Sequence, residues 1–226
     1  MLKKYNREKA GPSWAEVILG AILAVILGVV LGAAYMVTKP VAKVTAIPKD
    51  APSGAVYYIE GSTSFNRNGL EELRKSFVGG ESVTVDEGQI NAFLSSIFKP
   101  SAPAAKPGDK GPPPASGKMI DPGQLNARIH DGKLQLADTV ALSFYGVSTS
   151  VIVQATGTFV KDGSEFEFDP ETIYVGGCPV QRLLVAKNWI LSKMLLSQPV
   201  PADISAAWSK LSDVAIEGTK LRLKAP

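Results

Sequence analysis

Three rhythms of hydrophobic and polar residues follow one another along this 226-residue chain. From Val17 to Val37 there is no alternation at all. The run is apolar and uncharged, and it is long enough to cross a bilayer once as a helix, since about 20 residues span roughly 30 Å of hydrocarbon. A cleavable signal peptide is the alternative, because Gly32, Ala33 and Ala34 imitate a cleavage site. Such peptides have a shorter core of about 7–15 residues, which favours the uncleaved anchor. Within the run Gly20, Ala24, Gly28 and Gly32 recur every four residues and form a small-residue stripe. A second helix can approach closely along such a stripe, although Gly and Ala are also simply common in membrane helices.

The second rhythm is helical. After a Pro/Lys/Ala spacer (Pro40–Pro52) and a short strand at Ala55–Glu60, Leu70, Leu73 and Phe77 predict a helix over Asn68–Phe77, ended by Gly79-Gly80. Thr84-Val85-Asp86-Glu87 reads as a capping box. It opens a helix whose apolar face holds Ile90, Phe93, Leu94, Ile97 and Phe98. Asp86 and Glu87 then fall in the first turn, where the helix dipole favours acids. From Pro100 to Lys118 six prolines stand among Ala, Gly, Ser and Lys, a composition that cannot bury enough surface to order itself. An extended surface loop accounts for it, with a proline-recognition motif as the functional alternative.

The third rhythm has a period of two. Gln124–Ile129, Lys133–Ser143, Val147–Val160 and Ser164–Val175 predict successive antiparallel strands, with Asp131-Gly132 and Asp162-Gly163 as hairpin turns. Phe166 and Phe168 alternate with Glu165, Glu167 and Asp169, so one face is apolar and the other solvated. A long one-faced sheet needs a cover, and Pro179–Ser197 supplies the pattern for one. As a regular helix it gathers Leu183, Leu184, Ile190, Leu191, Met194 and Leu195 on one side, with Val185, Trp189 and Leu196 on a narrower stripe. Lys187 falls within the larger arc, so its stem must snorkel. Ala202–Leu211 carries a shorter helix with Trp208, and Val214–Glu217 with Lys220–Leu223 closes the chain as a hairpin.

These elements predict an α+β protein: a single N-terminal transmembrane helix, then a curved antiparallel sheet packed on amphipathic helices. Its parts are a basic cytoplasmic tail (1–16), the transmembrane helix (17–38), a linker (39–54) and an extracytoplasmic domain (55–226) with the Pro-rich insertion (100–118). Lys3, Lys4, Arg7 and Lys9 precede the apolar run and place the N-terminus inside the inner (cytoplasmic) membrane, with the bulk of the chain periplasmic or otherwise extracytoplasmic. About 185 residues beyond the run suffice for one domain with a core.

Charge narrows the functions. Of the net +3, setting aside Lys3, Lys4, Arg7, Lys9, Glu8 and Glu16 leaves 20 bases and 19 acids, which offers no footprint for nucleic acid. Cys178 is the single cysteine, so no internal disulfide forms. His130 is the single histidine, and no zinc cluster or other metal site is expected. His130 lies in a predicted turn, a poor place for a base. Gly61-Ser62-Thr63-Ser64-Phe65 lacks the last glycine of a nucleophile elbow, and no P-loop or dinucleotide fingerprint occurs. Neither an enzyme nor a cofactor is expected.

The segments "VTVDEGQINAFLSSIF", "YVGGCPVQRLLVAKNWIL" and "WSKLSDVAIEGTKLRL" resemble bacterial membrane-anchored or lipoprotein domains of the YpmS and YceB type, over roughly Ser82 to Leu223. The resemblance implies a curved antiparallel sheet wrapped on amphipathic helices, comparable to extracytoplasmic lipid-binding folds. It implies no catalytic residue. Asn91, at the matching helix position, is expected as a structural hydrogen-bonding residue.

The expected function is a non-enzymatic module that binds a lipid or other apolar ligand between sheet and helices. Ile90, Phe93, Leu94, Ile97, Leu183, Leu184, Trp189, Ile190 and Met194 would line the site. The expected partners are membrane lipids, together with self-association or a partner helix through the Gly20, Ala24, Gly28 and Gly32 stripe. The alternative is a structural adaptor that docks on a membrane assembly through the anchor and an exposed apolar helix. A solid core would leave the same stripes, because periodicity reports burial and not what does the burying.

Overall fold

The computed structural model describes residues 13–65, 67–98, 119–144, 147–180, 188–196 and 199–226. The chain divides into two units, one ending at Met36 and one running from Val37 to Pro226. Helix α1 (Trp14–Thr38), of 25 residues with none buried, makes up nearly all of the described part of the first unit, and its last two residues belong to the second. It is long and apolar enough to cross a membrane. Ser13 and Glu16 close its start, with the Ser13 amide donating to the Glu16 carboxylate at 2.7 Å.

The second unit is α+β, with a largely antiparallel, curved sheet that does not close into a barrel. Strands β1 (Ala42–Lys43) and β2 (Tyr57–Tyr58) pair in parallel. Helix α2 (Arg67–Val78), strand β3 (Val83–Asp86) and helix α3 (Glu87–Ile97) follow. The main sheet contains β4 (Ile120–Asp121), β5 (Asn126–His130), β6 (Lys133–Phe144), β7 (Val147–Asp162), β8 (Glu165–Val175) and β9 (Cys178–Pro179). Its order is β4-β6-β7-β8-β9, with β5 also on β6. Asp131 (φ 51°) and Gly132 (φ 69°) make the two-residue turn between β5 and β6, and both adopt the left-handed conformation such hairpins need. A bulge at Thr156/Gly157 brings Gly157 opposite Pro170. A Cβ on Gly157 would stand 2.1 Å from the Asp169 carbonyl oxygen, so only glycine fits there.

Helix α4 (Ala202–Trp208) and the hairpin of β10 (Asp213–Glu217) and β11 (Lys220–Lys224) complete the unit. β11 also pairs with β3, making a three-stranded sheet. Here the sequence expectation needs correcting. Thr84 and Val85 belong to a strand rather than to a helix start, and Val83 and Val85 alternate inward as β3. The helix cap lies two residues later. Asp86 accepts from the Gln89 amide at 2.8 Å, and the Gln89 side chain accepts from the Asp86 amide at 2.9 Å. That is the reciprocal capping box, with Gln in the place expected of Glu.

The main core lies between one face of the large sheet (Leu134, Leu136, Val140, Val153, Ile173) and the helices and small sheet. The segment expected as a bare linker instead contributes to a second core. Val41 is buried with Tyr58, Ala137 and Ile152, on residues that alternate to the opposite face from Leu136 and Val153. The middle of the sheet is therefore covered on both sides.

α3 is stitched to β5 by two side chains one helical turn apart. The Asn91 amide donates to the carbonyl oxygens of Ser62 and Ala127, 2.8 Å each, while its Oδ1 accepts from the Ala127 amide at 2.6 Å. The Glu87 carboxylate accepts from the Ile129 amide at 2.7 Å and from the Ser62 amide. β5 has a strand partner on one side only, and α3 satisfies its outer edge in place of another strand. The 61–64 backbone threads alongside because Gly61 and Gly88 lack Cβ atoms. An added Cβ would meet the Ala127 oxygen in one case and the Ser64 oxygen in the other, at 1.9 Å each.

Candidate functional site

Between α2, α3, α4 and the large sheet lies a cleft of about 570 Å³, within the range of small-molecule sites. α2 contributes Leu70, Leu73 and Phe77, which recur at helical spacing on one face. α3 contributes Ile90, Phe93, Leu94 and Ile97. Leu134 and Leu136 form the sheet side, and β11 adds Leu221 and Leu223. The remaining wall is aromatic. Phe159 and Phe168 face each other across β7 and β8 in a T-shaped pair at 5.9 Å. Trp208 packs on Phe159 at 5.5 Å and donates its indole N–H to the Phe166 carbonyl at 2.8 Å. That hydrogen bond fixes the ring against the sheet edge while leaving its apolar body to the cleft.

Polar groups are few. Gln89 is held in the capping box, and the Ser96 hydroxyl donates back to the Phe93 carbonyl at 2.7 Å. Glu71 and Arg74 are the charged lining residues. Arg74 Nη2 donates to the Asp203 carboxylate at 2.8 Å, an ion pair that joins α2 to α4 with both side chains partly exposed. Arg74 holds the Asp203 carboxyl below its ordinary value. Leu196 and Val200, lining residues that are 44% and 51% exposed, bring apolar surface out to the rim.

The expected lining residues divide. Ile90, Phe93, Leu94 and Ile97 stand on the cleft wall. Leu183, Leu184 and the side chain of Met194 lie outside the described residues. Trp189 and Ile190 are corrections. Trp189 is 48% exposed and off the cleft, and Ile190 is buried in the core at 4%. The physical reason is that the larger arc packs into the main core and does not line the cleft: Ile190 and Leu195, which share that arc, are both buried, while Trp189, on the narrower stripe, turns outward. After a helical turn at 188–190 the chain forms a π-helical turn at Leu191–Leu195, with the Leu196 amide donating to the Leu191 carbonyl. Cys178 is half-buried against the core.

Sequence reasoning did not assign Phe159, Phe168, Trp208, Leu134 or Leu136 to the site. The alternation of the strands marked the sheet residues as inward, but which helix they meet is decided by tertiary packing. In α1, Gly20, Gly28 and Gly32 have nothing within 4 Å of where a Cβ would stand. Among the described residues no group of three His, Cys, Asp or Glu side chains is placed to hold a metal. His130 pairs with its neighbour Asp131 at 3.1 Å in a solvated turn. Comparison with protein-family models, with curated proteins and with solved structures finds no match.

Proposed function

We propose that this chain is a membrane-tethered, non-enzymatic module whose second unit holds a lipid or other apolar ligand in the cleft between α2, α3, α4 and the sheet. One observation carries the reading. A volume of about 570 Å³ is walled mostly by Leu, Ile, Val, Phe and Trp side chains, with Glu71 and Arg74 the charged groups and Arg74 engaged by Asp203. Close-packed interiors do not keep voids of that size without an occupant or an opening. In this reading α1 is the anchor. The basic residues before it hold the N-terminus in the cytoplasm, and the second unit works on the far side of the membrane, periplasmic in a bacterium.

The reading is tested on the compact 37–226 unit expressed without α1. Extraction and mass spectrometry are expected to find co-purifying lipid, and a solvatochromic apolar dye is expected to brighten on binding. Phe93→Arg, which places a charge on the cleft wall, should abolish both signals while the far-ultraviolet circular dichroism is retained. A unit that carries no lipid and leaves the dye dark rejects the proposal.

A second reading rests on α1 itself. The open stripe of Gly20, Ala24, Gly28 and Gly32 suits close helix contact, as expected of a self-associating or adaptor subunit.

A further inference from the structure

Resting on the cleft as a ligand site, we infer that its ligand is a lipid with a zwitterionic headgroup, whose phosphate takes Arg74 and whose ammonium takes Asp203 and Glu71. The tail follows from the lining: about 570 Å³ walled by aliphatic and aromatic side chains is room for an acyl chain.

The head follows from charge. Glu71 and Arg74 sit three residues apart on α2, hence on one face, and both line the cleft. Asp203, not itself a lining residue, reaches Arg74 from α4 at 2.8 Å, so the lining base has one acid a turn away on α2 and another paired with it from α4. A purely anionic head would have to displace Asp203 from Arg74 and leave two carboxylates facing it. An uncharged head would gain nothing from any of the three. A head with both signs replaces each partner that it separates.

The exchange is cheap. Arg74 and Asp203 keep 46% and 39% of their side-chain surface exposed, and an exposed pair of this kind contributes about 0–1 kcal/mol. The guanidinium fork suits phosphate oxygens better than a point charge would. The same pair joins two helices that both line the cleft, so a head that separates it gains a partner on each of them.

The test uses the full chain in lipid nanodiscs with three photoactivatable lipids of identical acyl chain: lysophosphatidylethanolamine (zwitterionic), lysophosphatidylglycerol (anionic) and monoacylglycerol (uncharged). Crosslinks to α2, α3 and α4 are counted by mass spectrometry and normalised to crosslinks on α1, which report the concentration of each probe in the bilayer. The zwitterionic probe is expected to label the cleft about tenfold more than either other probe, the worth of one good charge-assisted contact. Arg74→Gln should remove that preference. Asp203→Asn should shift it towards the anionic probe, a reversal that mere loss of fold cannot produce. Equal cleft labelling by all three probes would overturn the headgroup assignment and leave the apolar-ligand reading standing. Absence of cleft labelling by any probe would overturn both.

Discussion

At the scale of single residues, Asn91 and Asp138 carry the most consequence, and they do so in opposite ways. Asn91 is 4% exposed and has its amide fully used, two donors and one acceptor on the backbone of Ser62 and Ala127. A side-chain amide has the same donors and acceptor as a peptide group, so it completes the β5 edge as a strand would. Asn91→Ala would strand the Ala127 amide and carbonyl in a buried place. A loss of about 2–3 kcal/mol is expected in urea unfolding of the 37–226 unit, with an unchanged slope. Asp138 is the reverse case. It stands opposite Val153 in the middle of the sheet at 3% exposure, and neither carboxyl oxygen has a well-formed hydrogen bond. Burial pushes its carboxyl up to about 7; the Thr139 and Gly123 amides oppose the rise and nearby Asp121 adds to it. The folded state therefore holds a proton that the unfolded chain releases near 3.8. The stability this group confers is full below pH 3.8 and is lost as pH rises towards 7, to a maximum of about 4 kcal/mol. Asp138→Asn should leave stability at pH 4 almost unchanged and raise it at pH 8, flattening the difference across that window in thermal unfolding. Parallel pH profiles for the two proteins would disprove the assignment.

At the scale of elements, what was legible in the sequence was whatever depended on local chemistry. Asp131-Gly132 specified its turn, the strand alternation specified which residues of β6 to β8 point inward, and the Leu70, Leu73 and Phe77 spacing specified α2. Three elements escaped for physical reasons. β3 is four residues long and runs into α3, so its Val83 and Val85 alternation is read as part of a helix start until β11 arrives from the far end of the chain to pair with it. β2 lies within the short strand read at Ala55–Glu60, whereas β1 has only two residues inside the expected linker and is a strand through its pairing with β2. The π turn at Leu191–Leu195 leaves no signature in a pattern read at one fixed period. The site was legible on its α3 side, where one amphipathic face holds four wall residues. It was not legible where Phe159, Phe168 and Trp208 converge from β7, β8 and α4. At this same scale α1 makes a prediction of its own. Gly28 lies mid-helix with open space around its Cα, so Gly28→Ile adds bulk without a clash inside the chain. If the stripe is an interface, this substitution should lower the signal of a membrane two-hybrid reporter severalfold, because the close approach that such contacts need is blocked. A comparable substitution at Val25, off the stripe, should leave the signal unchanged.

At the scale of the whole molecule, the question is how an exposed apolar helix and a near-neutral domain with a greasy cleft belong together. Beyond the N-terminal tail the chain carries 20 bases and 19 acids, too near balance for a long-range field that would draw it to a charged surface. With α1 as the proposed anchor, tethering would supply by concentration what charge does not, since a linked module meets its membrane as an intramolecular event. The tether is useful to the cleft only if the second unit lies on the side of the membrane where its ligand is exposed, and the flanking charges decide that side. Lys3, Lys4, Arg7 and Lys9 stand before the helix, against Lys39 and Lys43 soon after it. The excess predicts an N-terminus retained in the cytoplasm. Single cysteines introduced at Ser13 and at Ser53, in a background where Cys178 is replaced by Ala, would report this with a membrane-impermeant maleimide on intact cells. Labelling at position 53 and protection at position 13 are expected. Exchanging Lys3, Lys4, Arg7 and Lys9 for Gln while adding four lysines across 44–54 should invert the pattern in a measurable fraction of molecules. With the topology inverted, the cleft crosslinks should change with the lipid composition of the newly facing leaflet while the fold of the 37–226 unit stays as it is. That outcome would tie the anchor's orientation to what the cleft receives. Unaltered crosslinks after inversion would show that the cleft draws on neither leaflet in particular.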